Sequence, residues 1–307
     1  PSSFDIGEIR QGVIDIVGSD RAEVDMNHFY SAGAPDSRGN ADAGMSPRTA
    51  VQFPTDIDQL SLSIGMIDSQ VDTSHPSLDD ARIQTRSFAA KNAEMPDFHG
   101  TAIASMFAGN SDDYQGLAPN AEVYAAEVFE KDARKGDIAS TVSLVRALDW
   151  LISSGVDVIN ISLAGPSNRL LEAALDRAVQ HNVMILAAAG NGGPSAQPMY
   201  PAAYSSVVAI TAVDGGGRVF RLANRGDYLD LAAPGVDLLH ARSGGGYATS
   251  SGTSFAVPFA AAAAARLRVL KPDENVLDLL HIYAEDLGAP GRDEIYGYGL
   301  LRPSGSS

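Results

Sequence analysis

From Leu62 onward the chain alternates between short apolar runs and longer segments with apolar positions three or four residues apart. The runs at 62–67, 122–128, 156–161, 183–188 and 207–213 are short, apolar and rich in Val, Ile and Ala, which predicts strands buried on both faces. Between and after them, helices are expected over 100–108, 138–153, 168–180 and 254–270. In the third, Leu170, Leu171, Ala174, Leu175 and Ala178 share one face opposite Glu172, Asp176 and Arg177. Strands alternating with helices imply right-handed βαβ crossovers. The expected fold is α/β, a doubly wound, mostly parallel sheet with helices on both faces. In such sheets ligands and chemistry collect beyond the carboxyl ends of the strands.

Residues 1–55 break this pattern. Their apolar groups are scattered, and the stretch 32–47 is dense in Gly, Pro, Asp, Asn and Ser. That composition reads as a loop-rich N-terminal extension or pro-segment remnant ahead of a domain at 56–307. Isolated anchors (Phe4, Ile6, Ile9, Val13, Ile14, Ile16, Val17, Phe29, Tyr30) are too few to close a core, yet exceed what a solvated tail carries, so docking on the domain is expected. The first residues, Pro1-Ser2-Ser3, are neither a Met start nor a signal sequence, which leads us to expect a processed chain. A run from Phe255 to Ala265 is Ala-rich, holds Pro258 and is followed by Arg266 and Arg268. It reads as a core helix rather than a membrane span. The net charge of −16 and the absence of Lys/Arg clusters argue against nucleic acid as a partner. The absence of Cys excludes thiolate metal sites, cysteine nucleophiles and disulfides.

Four segments carry candidate chemistry. Asp68 stands where the first apolar run ends; a turn cap is the plain alternative, and Asp72 and His75 lie farther out in a polar loop. His99 opens a helix of small residues, where it could equally serve as a cap. Ser254 follows Gly252-Thr253 at the start of the Ala-rich helix, a position that also suits an ordinary N-cap. Asn191 leaves a buried strand in Gly190-Asn191-Gly192-Gly193, as a turn residue or as an amide donor above the sheet. That glycine run is not the G-x-G-x-x-G pattern of dinucleotide binding. Together the four supply acyl transfer: a hydroxyl nucleophile, a base, a carboxylate to orient the base, and an oxyanion donor.

The segments Ile67-Asp68-Ser69, His99-Gly100-Thr101, Asn160-Ile161-Ser162-Leu163-Ala164-Gly165-Pro166, Ala188-Ala189-Gly190-Asn191 and Gly252-Thr253-Ser254-Phe255-Ala256-Val257-Pro258 resemble the motifs of the subtilisin-like serine proteases, in that family's order, over about residues 60–300. The resemblance implies an endopeptidase with Asp68, His99 and Ser254 as triad and Asn191 as oxyanion donor. It further implies that Ser162, Leu163, Ala164 and Gly165 form one edge of the substrate cleft, with Leu163 and Leu171 lining an apolar subsite or simply packing in the core. Protein or peptide substrates and a secreted or periplasmic location follow from the same resemblance, which leaves the oligomeric state open. Three positions depart from the family pattern: Gln70 after the Asp-Ser step, Ala102 three residues after the histidine, and Ala164 in the substrate strand. No cofactor is assigned. Structural calcium is implied by the family alone, and the acidic loop 110–116 does not reproduce the ligand spacing. A non-catalytic subtilase-fold binding protein and an esterase are the alternatives.

Overall fold

The apolar runs close into one parallel sheet of seven strands. In the computed structural model, residues 6–17, 25–32 and 44–303 are described. The strands are β1 (Ser63–Asp68), β2 (Arg82–Ser87), β3 (Glu122–Glu127), β4 (Val158–Ile161), β5 (Met184–Ala188), β6 (Val208–Val213) and β7 (Leu231–Pro234). Their order across the sheet is β7-β6-β5-β4-β1-β3-β2, with every neighbouring pair parallel. The order reverses at β1, the strand that ends in Asp68, so a crevice opens at its carboxyl end.

Side chains alternate between the two faces, as a pleated strand requires. Ile64 and Met66 of β1 join a core with α1 (Phe98–Ala108) and α4 (Thr253–Leu270), whereas Ile67 joins the opposite core with α2 (Thr141–Ser153) and α3 (Arg169–Gln180). Among the described residues α4 is the one helix long and apolar enough to cross a bilayer, but 78% of it is buried. Its alanines let the helix lie close on the sheet, as expected for a core helix.

One predicted helix is shorter than its pattern. Residues 138–140 belong to a strand, Gly136–Ser140, and α2 begins at Thr141. Ser140 supplies the stop signal: its hydroxyl accepts from the Ser143 backbone N–H at 3.1 Å, an N-cap that fixes the helix start one residue later. Asn168 does the same for α3 through the Leu171 N–H at 3.0 Å.

The N-terminal extension is more structured than its composition suggests. Ile6–Val17 is a helix, stitched by Gln11 Nε2 donating to Asp15 Oδ1 at 2.7 Å across one turn. Of its anchors, Val13, Ile16 and Val17 are exposed; Phe4 lies outside the described residues. Asp25–Ala32 makes contact with the domain. Phe29–Ala32 is a strand in a second, antiparallel sheet of order Leu163–Ala164, Phe29–Ala32, Gly136–Ser140, Phe129–Asp132. Farther along, Val51, Phe53 and Ile57 are buried in the α1/α4 core. Arg48 pairs there with Asp58 at 3.0 Å and donates to the Gly116 carbonyl at 2.9 Å.

Candidate active site

The end of β1 carries Asp68, fully buried, with the Ser69 backbone N–H donating to its Oδ1 at 2.7 Å. The chain then turns beneath the first turn of α1. The Ser69 hydroxyl accepts from Gly100 N at 2.7 Å, and Thr101 Oγ1 accepts from Asp72 N at 2.8 Å. Gly100 is required by this approach: a Cβ there would run into the Ser69 carbonyl and sit 2.6 Å from that of Gln70. The contact aims His99, the residue before it, at Asp68. Its Nδ1 lies 2.8 and 2.9 Å from the two carboxylate oxygens, and Nε2 lies 2.9 Å from Ser254 Oγ. Carboxylate oxygens only accept, so a neutral imidazole here carries its proton on Nδ1 and accepts the Ser254 O–H at Nε2. That is the tautomer a general base needs.

Ser254 stands in the first turn of α4, and two features of the sequence explain how it is held. Pro258 has no N–H to give the carbonyl four residues back. That carbonyl belongs to Ser254, and it accepts from the Ser162 hydroxyl at 3.4 Å, itself held by Asn160 Nδ2 at 2.9 Å. Thr253 fixes the other side, accepting from Gly190 N at 3.1 Å and donating through Oγ1 to Asn191 Oδ1 at 2.9 Å. Asn191 Oδ1 also accepts from Thr253 N at 3.0 Å. With its oxygen so engaged, the amide presents Nδ2 toward Gly252, where a Cβ would stand 3.0 Å from Asn191 Nδ2 and 3.7 Å from Ser254 Oγ. An N–H donor and a hydroxyl thus flank one small space. A hydroxyl, a base with its orienting carboxylate and a preorganised donor can together activate a nucleophile and receive a developing oxyanion.

Asp72 and His75 lie apart from this group. Asp72 accepts from Gly244 N at 2.9 Å and from Ser74, bonds that hold its carboxyl below the usual range. His75 bridges Ser77 and the Gly246 carbonyl. Both staple the loop after β1 to the loop around Gly244–Gly246. Leu163 and Leu171 are buried in the α2/α3 core. Gly165 packs so closely under Tyr30 that a Cβ would meet the ring; burial pushes that phenol up.

Two buried ionisable groups beside the site were not singled out in the sequence. Glu127 ends β3 directly opposite Asp68. Its Oε1 accepts from Val71 N at 3.1 Å, and burial raises its carboxyl. The signal that marks Asp68, an acid leaving an apolar strand, marks Glu127 equally. His240 is fully buried, stacked on Phe255 with centroids 5.3 Å apart, while Phe255 tilts against His99 at the same separation. Burial drives the His240 imidazole down to about 4. The hairpin at 110–115 does not fit a calcium cage: Asp112 and Asp113 are exposed at its turn, and no three His, Asp or Glu side chains converge among the described residues.

A buried carboxylate, imidazole and hydroxyl in line at the carboxyl end of a parallel sheet define the hydroxyl-nucleophile class of hydrolase-like sites. Residues 61–299 match the Subtilase family, and the chain belongs to that family. It is 36% identical over 210 residues to the minor extracellular protease Epr of Bacillus subtilis, a match covering 66% of this chain and 32% of that protein. To Subtilisin E of the same organism it is 34% identical over 252 residues, 78% of this chain and 64% of the relative. The chain therefore spans between a third and just under two thirds of these relatives. Among solved structures, the patellamide maturation protease PatA superposes with a TM-score of 0.69 at 30% identity, over 80% of this chain and 94% of that one. Fervidolysin from Fervidobacterium pennivorans shares the fold at a TM-score of 0.78 and 23% identity, over 91% and 50% of the two chains.

Proposed function

We propose that this chain is a serine endopeptidase that cleaves peptide bonds through an acyl-enzyme. The observation that carries the reading is the His99 imidazole spanning Asp68 and Ser254 at 2.8 and 2.9 Å. His99 takes the Ser254 proton as the hydroxyl attacks the carbonyl, and Asp68 stabilises the imidazolium so formed. Asn191 Nδ2 and the Ser254 backbone N–H receive the oxyanion. His99 then returns the proton to the leaving amine, and water repeats the sequence on the acyl-enzyme. Ser162–Gly165 binds the substrate as an added antiparallel strand. A secreted or periplasmic location is proposed with the activity, on the strength of the extracellular relative.

The strand Phe29–Ala32 supports both the cleft and the reading of residues 1–55 as a pro-segment-like extension. Ser31 and Ala32 pair with Ala164 and Leu163, so the strand's carboxyl end is directed toward Ser162 and the Ser254 it touches. The extension thereby occupies the substrate path, and the full chain is a latent form of the enzyme. A fluorophosphonate probe tests the activity: it should label the chain freed of residues 1–43 at Ser254, and neither Ser254→Ala nor His99→Ala. Peptide turnover abolished by both substitutions, with the double variant no worse than either, is the expected companion result. Labelling that persists in Ser254→Ala, or ester turnover without peptide turnover, would sink the endopeptidase assignment.

A further inference from the structure

Successive side chains of an extended segment point to opposite sides, and in Phe29–Ala32 this sends Tyr30 inward and Phe29 outward. Tyr30 is buried, whereas Phe29 is 42% exposed. Nevertheless Phe29 has a partner: the Lys135 ammonium lies 4.0 Å from its ring centroid. Lys135 is in the turn joining Phe129–Asp132 to Gly136–Ser140, and that turn is preorganised. Asp132 Oδ1 accepts from the backbone N–H groups of Arg134 at 2.8 Å and Lys135 at 2.9 Å. Phe29 is also paired in register with Ser140. One hairpin therefore supplies both the backbone pairing and the cation above the ring.

We infer that this hairpin forms an outlying subsite for an aromatic side chain, and that Lys135 is a specificity-determining residue. The segment it selects is extended and carries two consecutive aromatic residues: the second fills the site over Gly165, the first lies under Lys135. The inference rests on reading Phe29–Ala32 as an occupant of the substrate path. An aliphatic side chain of similar size covers the same backbone but lacks the ring quadrupole that attracts an ammonium. Nothing in the triad depends on this contact, so it bears on binding and not on the chemical step.

A cycle of variants in the full chain carrying Ser254→Ala tests it without any need for activity. Hydrogen exchange of the amides at 29–32 is measured for the parent, Phe29→Leu, Lys135→Met and the pair. Each single change should speed exchange about two- to five-fold, the range for an exposed ammonium over a ring, and the pair should be no faster than the faster single. Lys135→Arg should retain the parent rate. Multiplying effects in the pair would overturn the subsite. In a second arm, peptides with Phe-Tyr or Leu-Tyr are offered to the full chain carrying Tyr30→Ala, which loosens the extension, with Lys135 or Met at that position. A Phe preference in KM present only with Lys135 supports the subsite; equal KM values for both peptides overturn it. Coupled exchange without turnover of any peptide supports the subsite and counts against the endopeptidase reading instead.

Discussion

His240 makes the stability of this protein sensitive to acid. Its ring is fully buried, with Nδ1 donating to the Ala241 carbonyl at 2.8 Å and Nε2 accepting from the Ser250 hydroxyl at 2.9 Å. A second ring proton would turn the Ser250 hydroxyl from donor to acceptor, and burial lowers the pKa from 6.5 to about 4, with the nearby His99 adding to the effect. A base with a depressed folded-state pKa binds fewer protons than its unfolded counterpart between the two values. The stability it contributes is therefore complete above about pH 6.5 and is lost as the pH falls toward 4. At 1.36 kcal/mol per pH unit the gap corresponds to about 3 kcal/mol. Glu127, whose carboxyl is raised by burial, works in the opposite direction, so the His240 contribution must be isolated by difference. The perturbation is His240→Gln in the Ser254→Ala background, which prevents self-digestion. Urea unfolding at pH 7, 5.5 and 4 gives the free energy of each protein. Between pH 7 and 4 the parent should lose about 3 kcal/mol more than the variant. Parallel loss in the two proteins would refute the claim that His240 is held neutral at a cost to the acid-stable range.

Two further outcomes are expected. Asn191→Ala should lower kcat by about 10²–10³ with little change in KM, the loss found on removing the same kind of donor from subtilisin, a relative of this chain; a change confined to KM would remove Asn191 from the oxyanion role. Tyr30→Ala should weaken docking of the extension by about 3 kcal/mol, roughly a hundred-fold in occupancy of the cleft, so the full chain should cleave added peptide at lower KM with kcat unchanged; a KM equal to that of the parent would show that Tyr30 does not hold the extension in place.

Much of the site was legible because each of its residues ends or begins an element. Asp68 leaves an apolar strand, His99 and Ser254 open helices, and Asn191 follows a strand into glycine; local pattern finds such boundaries. Gly100 and Pro258 were visible as residues, but their reasons are not local: one admits the Ser69 carbonyl, the other frees the Ser254 carbonyl for Ser162. Pairings distant in sequence left no local trace. Nothing in residues 136–140 foretells Phe29–Ser31 as partners, and the helical spacing of 141–153 runs back into the strand without interruption. His240 was hidden for a similar reason. It sits among apolar neighbours in Leu238–Ala241, and only the folded hairpin brings Ser250 to its ring.

On the proposed reading, the strand Leu163–Ala164 couples latency to catalysis. A substrate-binding edge must leave backbone N–H and C=O groups unpaired, since those groups are what the substrate takes up. The same unpaired edge is a template for any other extended segment. Here the segment that takes it belongs to the chain itself, and its effective concentration exceeds that of a dissolved peptide for as long as the two remain joined. The extension is fastened at two further points upstream. Asp25 accepts from Arg169 N at 2.7 Å at the start of α3, and Asn27 accepts from Val142 N at 3.2 Å at the start of α2. Each fills a helix N-terminus whose N–H groups need an acceptor. Release of the cleft must therefore break capping bonds on two helices as well as the strand pairing, whereas substrate exchange in a trimmed enzyme breaks only the pairing. None of the bonds that hold the extension involves Asp68, His99 or Ser254, so the two forms should differ in access to Ser254 and not in the chemistry that follows.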